Sequence, residues 1–337
     1  MSTQIVNEII GKKSGAIYAY TNNLIDLINS RIFNVNMLLL YKDIFYKADI
    51  YHYQYSNSTR SILLRLLVTN KNKNIITIHD VLPRNPIIKN FISPIIYRII
   101  DIKSRIIIVH SKFAKTLLHK TYTFINPSKV YVIPHIIPAW CQVLKSSSTI
   151  ENKLRKEFGI SKKLIVLLSV GFIKKSKGII EAIKAVNEIN YKNIRLFVIG
   201  KITDIECYKI LTNVNNKKVK YLGILNDQQL TRWFQIADAL VNFRMNSVGE
   251  TSGSLMQMLG IGKPILSTDI GSDKEILGSA GLYCKANTND IKKLILKFSC
   301  NNNLRKKIRE KVKRRSNKYN ADVIAKKYLD IFKILNK

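Results

Sequence analysis

The chain has 337 residues, of which 46% are hydrophobic, and a formal net charge of +34. A chain of this length is expected to form two domains of about 150 residues, each with enough apolar residues to bury a core. Charges interrupt its apolar runs before they reach the roughly 18 residues of a membrane span, so a transmembrane helix is not predicted.

The N-terminus and the cysteines indicate where the protein works. The first residues, MSTQIVNEIIGKKSG, lack the basic and then apolar order of a secretory signal, so we expect a cytoplasmic protein that begins near Met1. Cys141, Cys207, Cys284 and Cys300 are far apart and match no metal-binding spacing. Neither a disulfide nor a metal site is predicted.

The positive charge has two interpretations. It fits a partner rich in phosphate, which includes nucleic acid, an anionic membrane surface and a phosphorylated substrate. Compositional drift is the alternative, since Lys, Ile and Asn are all abundant. The densest run, at 305–318, holds nine basic residues and one acidic residue and is interpreted as a solvated helix face.

Short β-branched strands alternate with helices in the first half, which is typical of a parallel sheet covered on both faces. The segment 11–20 is predicted as a loop between a first strand and a helix, where Gly15 would let the backbone approach a ligand. Further strands are predicted at 35–41, 49–55, 74–80, 105–111 and 129–135, and helices at 22–31 and 111–120.

The polar segment 138–162 separates the two halves, and the capping-box pair Ser148 and Glu151 predicts a helix at the start of the second. Strands are then predicted at 163–171, 193–200, 218–224, 237–244 and 263–269, and helices at 177–189 and 227–237. We therefore expect two doubly wound domains, 1–145 and 146–318.

The last segment, 319–337, has the apolar spacing of a one-sided helix and must dock on another surface. Its apolar positions are Val323, Ile324, Tyr328, Ile331, Phe332 and Leu335.

Ligands of open parallel sheets bind beyond the carboxyl ends of the strands. At one such end, VGFIKKSKG (170–178) places Lys174, Lys175 and Lys177 before an amphipathic helix, where they can meet a phosphate group. Lysines in loops are common, so an ordinary solvated loop is the alternative.

A second strand end, FRMNSVGETSGSLMQMLGIGKP (243–264), carries a stronger signal. Thr251, Ser252 and Gly253 precede a short helix whose first N–H groups would bind an anion. Glu250, after Gly249, would be repelled by a diphosphate unless it holds a hydroxyl group, which favours a sugar. A capping box without a ligand is the alternative.

All five histidines lie in the first half. His79 ends a predicted strand and His52 lies within another, so both are candidates to face a ligand. A histidine satisfied in the core or at a cap is the alternative for each. No acidic motif with metal-ligand spacing is present.

The order of motifs resembles glycosyltransferase family 4, the group 1 glycosyl transferases, in its GETSG-type subgroup. The resemblance rests on SVGFIKKSKGIIEAIKAV, LFVIG, VKYLGILNDQQLTRWFQIADALVNFR, GETSGSLMQMLGIGKPILSTDIGSDKEI and AGLY, and upstream on ITIHD, IIIVHSKFAKTLL and VYVIPHIIP. It implies the α/β fold called GT-B, in which two Rossmann-like, doubly wound parallel-sheet domains face each other across a cleft. The final helix crosses back to the first domain.

The resemblance also implies an activity, namely transfer of a sugar from a nucleotide-diphosphate sugar to a lipid-linked, polysaccharide or other glycan acceptor. The transfer retains the anomeric configuration and uses no metal or other cofactor. An anionic membrane surface is a further expected partner, which would place the protein at the inner membrane face, and a specific nucleic acid is not expected. A GT-B isomerase or phosphorylase, or a non-catalytic basic binding protein, is the alternative.

The family's functional residues map onto a few positions. Lys177, assisted by Lys174 and Lys175, matches the donor diphosphate contact, and Glu250 and Gly249 match the donor sugar contact. The segment from Thr251 through Ser252 and Gly253 to Ser254 matches the loop whose amides bind sugar and phosphate. His79 matches a histidine near the reacting bond, so His79 and Glu250 are the catalytic candidates. Gly15 and His52 are assigned to the acceptor side.

Two positions depart from the family pattern. Met258 stands where a second glutamate would grip the nucleotide ribose, with Gln257 one residue earlier. Phe172 stands where many members have an arginine. Nucleotide binding is consequently less well supported than sugar binding.

Overall fold

The computed structural model describes residues 4–10, 15–28, 33–39, 47–57, 62–85, 87–142, 148–213 and 217–335. By its internal contacts the chain forms two compact units. The first comprises Met1–Pro138, Val248–Gly253 and Tyr319–Lys337, and the second comprises Ala139–Ser247 and Ser254–Lys318. The first unit therefore contains both ends of the chain and one short segment from its second half.

The first unit is built on a six-stranded parallel sheet. Its strands are β1 (Gln4–Ile10), β2 (Phe33–Leu39), β3 (Ile50–Tyr55), β4 (Asn74–Ile78), β5 (Ile106–Val109) and β6 (Val130–Val132), in the order β2-β1-β3-β4-β5-β6. The connecting helices are α1 (Gly15–Ile28), α2 (Ile62–Val68), α3 (Ser93–Lys103) and α4 (Lys112–Thr121). A π-helical turn, Ile88–Ile92, leads into α3.

The second unit repeats this plan, beginning with α5 (Ala139–Gln142) and α6 (Ser148–Glu157). Its strands are β7 (Ile165–Val170), β8 (Ile194–Ile199), β9 (Val219–Tyr221), β10 (Ala239–Asn242), β11 (Ile265–Thr268) and β12 (Gly281–Cys284), in the order β12-β11-β10-β7-β8-β9. The helices that follow β7 are α7 (Ile179–Glu188), α8 (Ile205–Asn213), α9 (Asp227–Ile236), α10 (Gly253–Ile261), α11 (Asp273–Leu277), α12 (Thr288–Ser299) and α13 (Asn302–Ser316).

The final helix, α14 (Ala321–Ile334), belongs to the first unit and packs beside α1. Its buried side chains join Val6, Ile50, Ile75 and Ile106 on one face of the first sheet. The buried set on α14 is Ile324, Ala325, Tyr328, Leu329, Ile331 and Phe332. Val323, assigned to the apolar face from the sequence, is instead 43% exposed.

The sequence predicts the fold class and most elements correctly. Both sheets are parallel and wound with helices, and α6 begins at Ser148 as the capping pair predicts. The helices α2 and α3 were not predicted, and two further differences concern α1 and β12. The first helix begins at Gly15, so all the described residues of the predicted loop 11–20 are helical. The strand β12 lies in a motif that was noted but was not assigned as a strand.

Candidate functional site

In the second sheet the chain changes direction between β7 and β10. From β7 it proceeds through β8 and β9 to one side, and from β10 through β11 and β12 to the other. Loops that leave such neighbouring strands diverge and open a crevice at the carboxyl ends, where ligands of doubly wound sheets bind. The two segments singled out from the sequence are the loops that follow β7 and β10.

Glycines bring these two loops close together. Gly171 has a φ of 121°, and a Cβ atom there would lie 2.5 Å from the Ser254 Oγ at the start of α10. A Cβ atom on Gly178 would lie 1.8 Å from the carbonyl oxygen of Phe243, just after β10. At Gly178 the obstacle is backbone, so a larger residue would separate the loops, whereas at Gly171 the Ser254 hydroxyl can rotate away and it is the positive φ that favours glycine.

Lys177 ends the 3-10 turn Lys175–Lys177, and Gly178, with a φ of 62°, turns the chain into α7. Lys177 lines a small depression together with Ser169, Gly171 and Asn242. The helix α10 begins at Gly253, where a Cβ atom would meet open space, and its first N–H groups have no intrahelical acceptor. A cation and a helix N-terminus are therefore presented by adjacent loops, which suits a phosphate group.

The other two lysines differ in their surroundings. Lys175 is exposed and forms an ion pair with Glu206 on α8, which raises the pKa of the lysine. Lys174 is half-buried in extended conformation before the turn. Of the three predicted phosphate ligands, Lys177 is the one that the structure places in the depression beside β10.

A buried polar group behind Lys177 was missed in the sequence. Asp273 accepts hydrogen bonds from Asn242 Nδ2 at 2.6 Å and Ser267 Oγ at 3.0 Å, and lies 3.7 Å from Arg244 Nη1. Burial raises the pKa of Asp273 to about 6, whereas Arg244, Ser267 and Lys177 act to lower it. This group ties β10 and β11 to α11. Its sequence signal is the run of polar residues directly after two apolar strands.

Glu250 lies in the segment Val248–Gly253, which belongs to the first unit. The amides of Val81 and Leu82 donate to the Val248 carbonyl oxygen at 3.0 and 2.8 Å. Gly249, with a φ of 91°, packs so closely that a Cβ atom would lie 2.7 Å from Val81 Cβ. The segment is thereby fixed on the residues that follow β4 and His79.

Both carboxylate oxygens of Glu250 are held. Arg84 Nη2 donates to Oε1 at 3.0 Å, and the Val248 amide donates to Oε2 at 2.8 Å. The Glu250 side chain is 20% exposed and the Arg84 side chain 48% exposed. Arg84 was not singled out in the sequence, because nothing in the local pattern links it to a carboxylate 166 residues away.

The two hydroxyl residues after Glu250 have different surroundings. Ser252 is buried. The buried hydroxyl oxygen of Thr251 has no hydrogen-bond partner in the described part of the chain. A buried hydroxyl without a partner is unfavourable for stability.

His79 belongs to a chain of polar side chains on the sheet face that α1 and α14 cover. Gln54 Nε2 donates to the Glu8 carboxylate at 2.8 Å, which leaves Gln54 Oε1 to accept from His79 Nε2 at 2.8 Å. On the other side, His110 Nε2 lies 3.3 Å from His79 Nδ1, and His110 Nδ1 donates to the Ile133 carbonyl oxygen. Donation to Gln54 requires the proton of His79 on Nε2, and with His110 donating from Nδ1 the two facing nitrogens, His79 Nδ1 and His110 Nε2, are in contact without a hydrogen bond.

The histidines here are neutral at physiological pH. Burial, reinforced by His110 and His135, holds the pKa of His79 well below its usual range. Burial lowers the pKa of His110 to about 3 and that of His135 to about 4. The ring of Tyr20 lies within 5.2 Å of all three imidazole centroids. His79 is therefore suited to a hydrogen-bonding role rather than to carrying charge.

His52 and Gly15 are placed differently from the expectation. His52 is fully buried, 2.7 Å from both Glu8 Oε1 and Thr77 Oγ1, and packs against Tyr328. These surroundings favour the alternative interpretation of His52, a histidine satisfied in the core. Gly15 is the first residue of α1, and the preceding residues 11–14 lie outside the described part of the chain.

The structure also shows the burial of the residues that depart from the family pattern. Met258 is buried in α10, with Gln257 half-buried beside it, and Phe172 is 54% exposed. Within the described residues, no three His, Cys, Asp or Glu side chains are grouped as metal ligands would be. None of the described helices has the length and apolar character needed to cross a membrane.

Solved structures share this architecture over nearly their whole length. A glycosyltransferase from Rickettsia africae superposes with a TM-score of 0.80 at 16% identity, covering 100% of both chains. Sucrose-phosphate synthase from Thermosynechococcus elongatus gives a TM-score of 0.79 at 14% identity, covering 98% of this chain and 99% of its own. An Anabaena protein solved with UDP and glucose gives 0.78 at 12% identity over the same fractions. The fold is therefore GT-B, as the resemblance implied.

Within this fold class, residues 150–315 match the family model described as Glycosyl transferases group 1. This match agrees with the family resemblance over that segment of the chain. The GETSG-type subgroup stays a prediction.

Two curated relatives match about half of this chain. Alpha-galactosylglucosyldiacylglycerol synthase of Streptococcus pneumoniae is 24% identical over 184 residues, 53% of this chain and 48% of that protein. An uncharacterized glycosyltransferase of Methanocaldococcus jannaschii is 30% identical over 193 residues, 55% of this chain and 48% of its own. The chain spans about half the length of these relatives.

Proposed function

We propose that the protein transfers a sugar of the hexose type from a nucleoside-diphosphate sugar to a glycan acceptor, with retention of anomeric configuration. The observation that carries the proposal is the depression at the change of direction of the second sheet, which Lys177 lines together with Gly171, the residue that approaches Ser254 in the first turn of α10. This arrangement lies within the segment that matches the family model.

In the proposed reaction the bond between the anomeric carbon and the donor phosphate oxygen breaks, and negative charge develops on the departing nucleoside diphosphate. Lys177 and the first amides of α10, from Gly253 and Ser254, stabilise that charge. The acceptor hydroxyl attacks from the same face of the sugar, and its proton passes to the departing phosphate oxygen. This route uses neither an enzymic nucleophile nor a metal, so we expect activity to persist when divalent cations are chelated.

The sugar is proposed to be held by Glu250 and Gly249, together with the loop that begins at Thr251. The Glu250 carboxylate is preorganised by Arg84 and the Val248 amide. His79, neutral and fixed in one tautomer, contacts the transferred sugar near the reacting bond. These roles remain proposals for this chain.

The acceptor is proposed to be lipid-linked, a polysaccharide or another glycan, and the site of action the cytoplasmic face of the membrane. One relative is named as a synthase of a glycosylated diacylglycerol, which favours the lipid-linked class.

The test is ligand-induced melting and donor hydrolysis with a panel of UDP-, GDP- and ADP-sugars. We expect one donor to raise the melting temperature, and Lys177→Ala and Glu250→Ala to abolish the shift. Lys175→Ala is the matched control, because its side chain pairs with Glu206 and should leave the shift nearly intact. No response to any donor would overturn the proposed donor class.

A further inference from the structure

We propose that an apolar surface with a basic border on the first unit docks onto an anionic lipid bilayer. The surface, called here the α2–α3 surface, consists of the outward side chains of α2, the turn Ile88–Ile92 and α3. Its most exposed members are Leu64 at 65%, Val68 at 75%, Ile87 at 66%, Phe91 at 71%, Ile95 at 65% and Ile102 at 56%.

These side chains lie on neighbouring elements because α2 and α3 pack against each other. Lys103 Nζ on α3 donates to the carbonyl oxygen of Leu67 on α2 at 2.9 Å. The inward faces of both helices are mostly apolar, with Leu66, Ile96 and Ile100 in the core, although Arg65 on α2 and Ser93 on α3 are also buried. Surface helices usually carry polar residues on the outward face, so helices that are apolar on both faces indicate a second apolar environment.

The charges around the surface identify that environment. Lys71, Lys89 and Arg98 are exposed along it. Between residues 62 and 105 the acidic residues are Asp80 and Asp101, both partly buried, and Asp101 is engaged by Lys129 and the Asn126 amide. The exposed charged side chains between residues 62 and 105 are therefore all basic.

A bilayer with anionic headgroups complements both features. Apolar side chains enter the boundary of the acyl region while lysine and arginine reach the headgroups. A second copy of the chain fits less well, because a two-fold contact would bring two positive borders together. The surface includes none of the residues proposed to bind the donor, so it can be tested independently of the proposed function.

The experiment is co-sedimentation of the full chain with vesicles of phosphatidylcholine, with and without phosphatidylglycerol. We expect binding to the anionic vesicles that decreases with salt, and little binding to the neutral ones. The double variant Phe91→Ser and Ile95→Ser should weaken anionic binding by about tenfold or more. The matched control is Ile205→Ser with Ile224→Ser, at residues 72% and 70% exposed in the second unit, and should bind as the unchanged protein does.

A second measurement guards against misfolding of the double variant. In Phe91→Trp we expect the added indole emission to shift to shorter wavelength with anionic vesicles. Absence of that shift, equal binding to neutral vesicles, or unchanged binding by the double variant would overturn the proposal. A concentration-dependent dimer that the double variant abolishes, without vesicle binding, would assign the surface to a second copy instead.

Discussion

Glu250 is held at both carboxylate oxygens, and Arg84 supplies one of the two contacts. Because Arg84 is about half exposed, Arg84→Ala should change the free energy of unfolding by no more than about 1 kcal/mol. If Glu250 binds the sugar, loss of this contact should raise the donor KM several-fold, since the carboxylate is no longer preorganised. Steady-state kinetics with the identified donor measure this effect.

Arg105→Ala is the control for that change, because Arg105 is an exposed arginine of the same unit. A donor KM that changes equally in both variants would show that lost positive charge, rather than positioning of Glu250, is responsible.

The buried histidines predict how stability depends on pH. Because the pKa values of His79, His110 and His135 are lowered in the fold, the unfolded chain binds more protons below about pH 6.5. Stability should therefore be fully present above that pH and fall as the pH drops towards 4, by up to about 1.4 kcal/mol per pH unit for each histidine. Asp273, with its raised pKa, opposes this trend.

The histidine contribution is isolated by comparing denaturant unfolding of the protein with that of His110→Gln at pH 7 and pH 5. We expect the variant to lose less stability between the two pH values than the unchanged protein does. An identical loss in both would contradict the prediction.

Single residues also show which parts of the candidate site can be predicted from the sequence and which cannot. Lys177 and Glu250 are identifiable because each follows a strand in a recognisable local motif. Arg84 and Gln54 are not, because their partners lie far away in the sequence and only the packed sheet brings them together. The spacing of His52 and Gln54 on one strand face was the available signal for a polar network.

At the scale of elements, the loop that carries Lys177 depends on Gly178. Gly178 has a φ of 62° and Gly159 a φ of 64°, so the backbone is left-handed at both. A Cβ atom at Gly159, however, would meet nothing within 4 Å. Gly159→Ala should cost about 1 kcal/mol for the left-handed backbone alone. Gly178→Ala should cost at least about 1 kcal/mol more, because the Cβ atom collides with the Phe243 carbonyl, and it should also weaken the donor-induced melting shift.

Chemical denaturation of the two glycine variants gives the comparison. Equal losses of stability would show that the close approach between the loops after β7 and β10 is not required.

The elements themselves follow from local patterns to different degrees. Strands such as β7 and β8 are continuous apolar runs and are predicted within a few residues, since both faces of a parallel sheet are buried. The start of α1 was placed too late, because Gly15 and Ser14 resemble a loop and the helix is stabilised by its packing on β1 and α14.

At the scale of the whole molecule, the last helix stabilises the unit that the first residues begin. Phe332 is fully buried in the cluster that includes Val6 and Ile50, more than 280 residues earlier. Phe332→Ala should therefore destabilise the first unit by about 3–5 kcal/mol through loss of apolar burial and the cavity left behind.

Val323→Ala on the same helix is the control and should cost less than about 1 kcal/mol, because its side chain is 43% exposed. Denaturant titration measures both. A loss for Phe332→Ala no larger than that for Val323→Ala would contradict the assignment of α14 to the first unit.

The sequence by itself determined the class of fold, the alternation of strands and helices, and the two loops that carry Lys177 and Glu250. These depend on periodicity, glycine and helix-start signals within a few residues of one another. Only the tertiary structure decided that His52 is a core residue, that Arg84 holds Glu250, and that Gly171 and Gly178 bring two loops together. Such features depend on contacts between distant segments. Side-chain packing determines these contacts, and the local sequence pattern does not encode them.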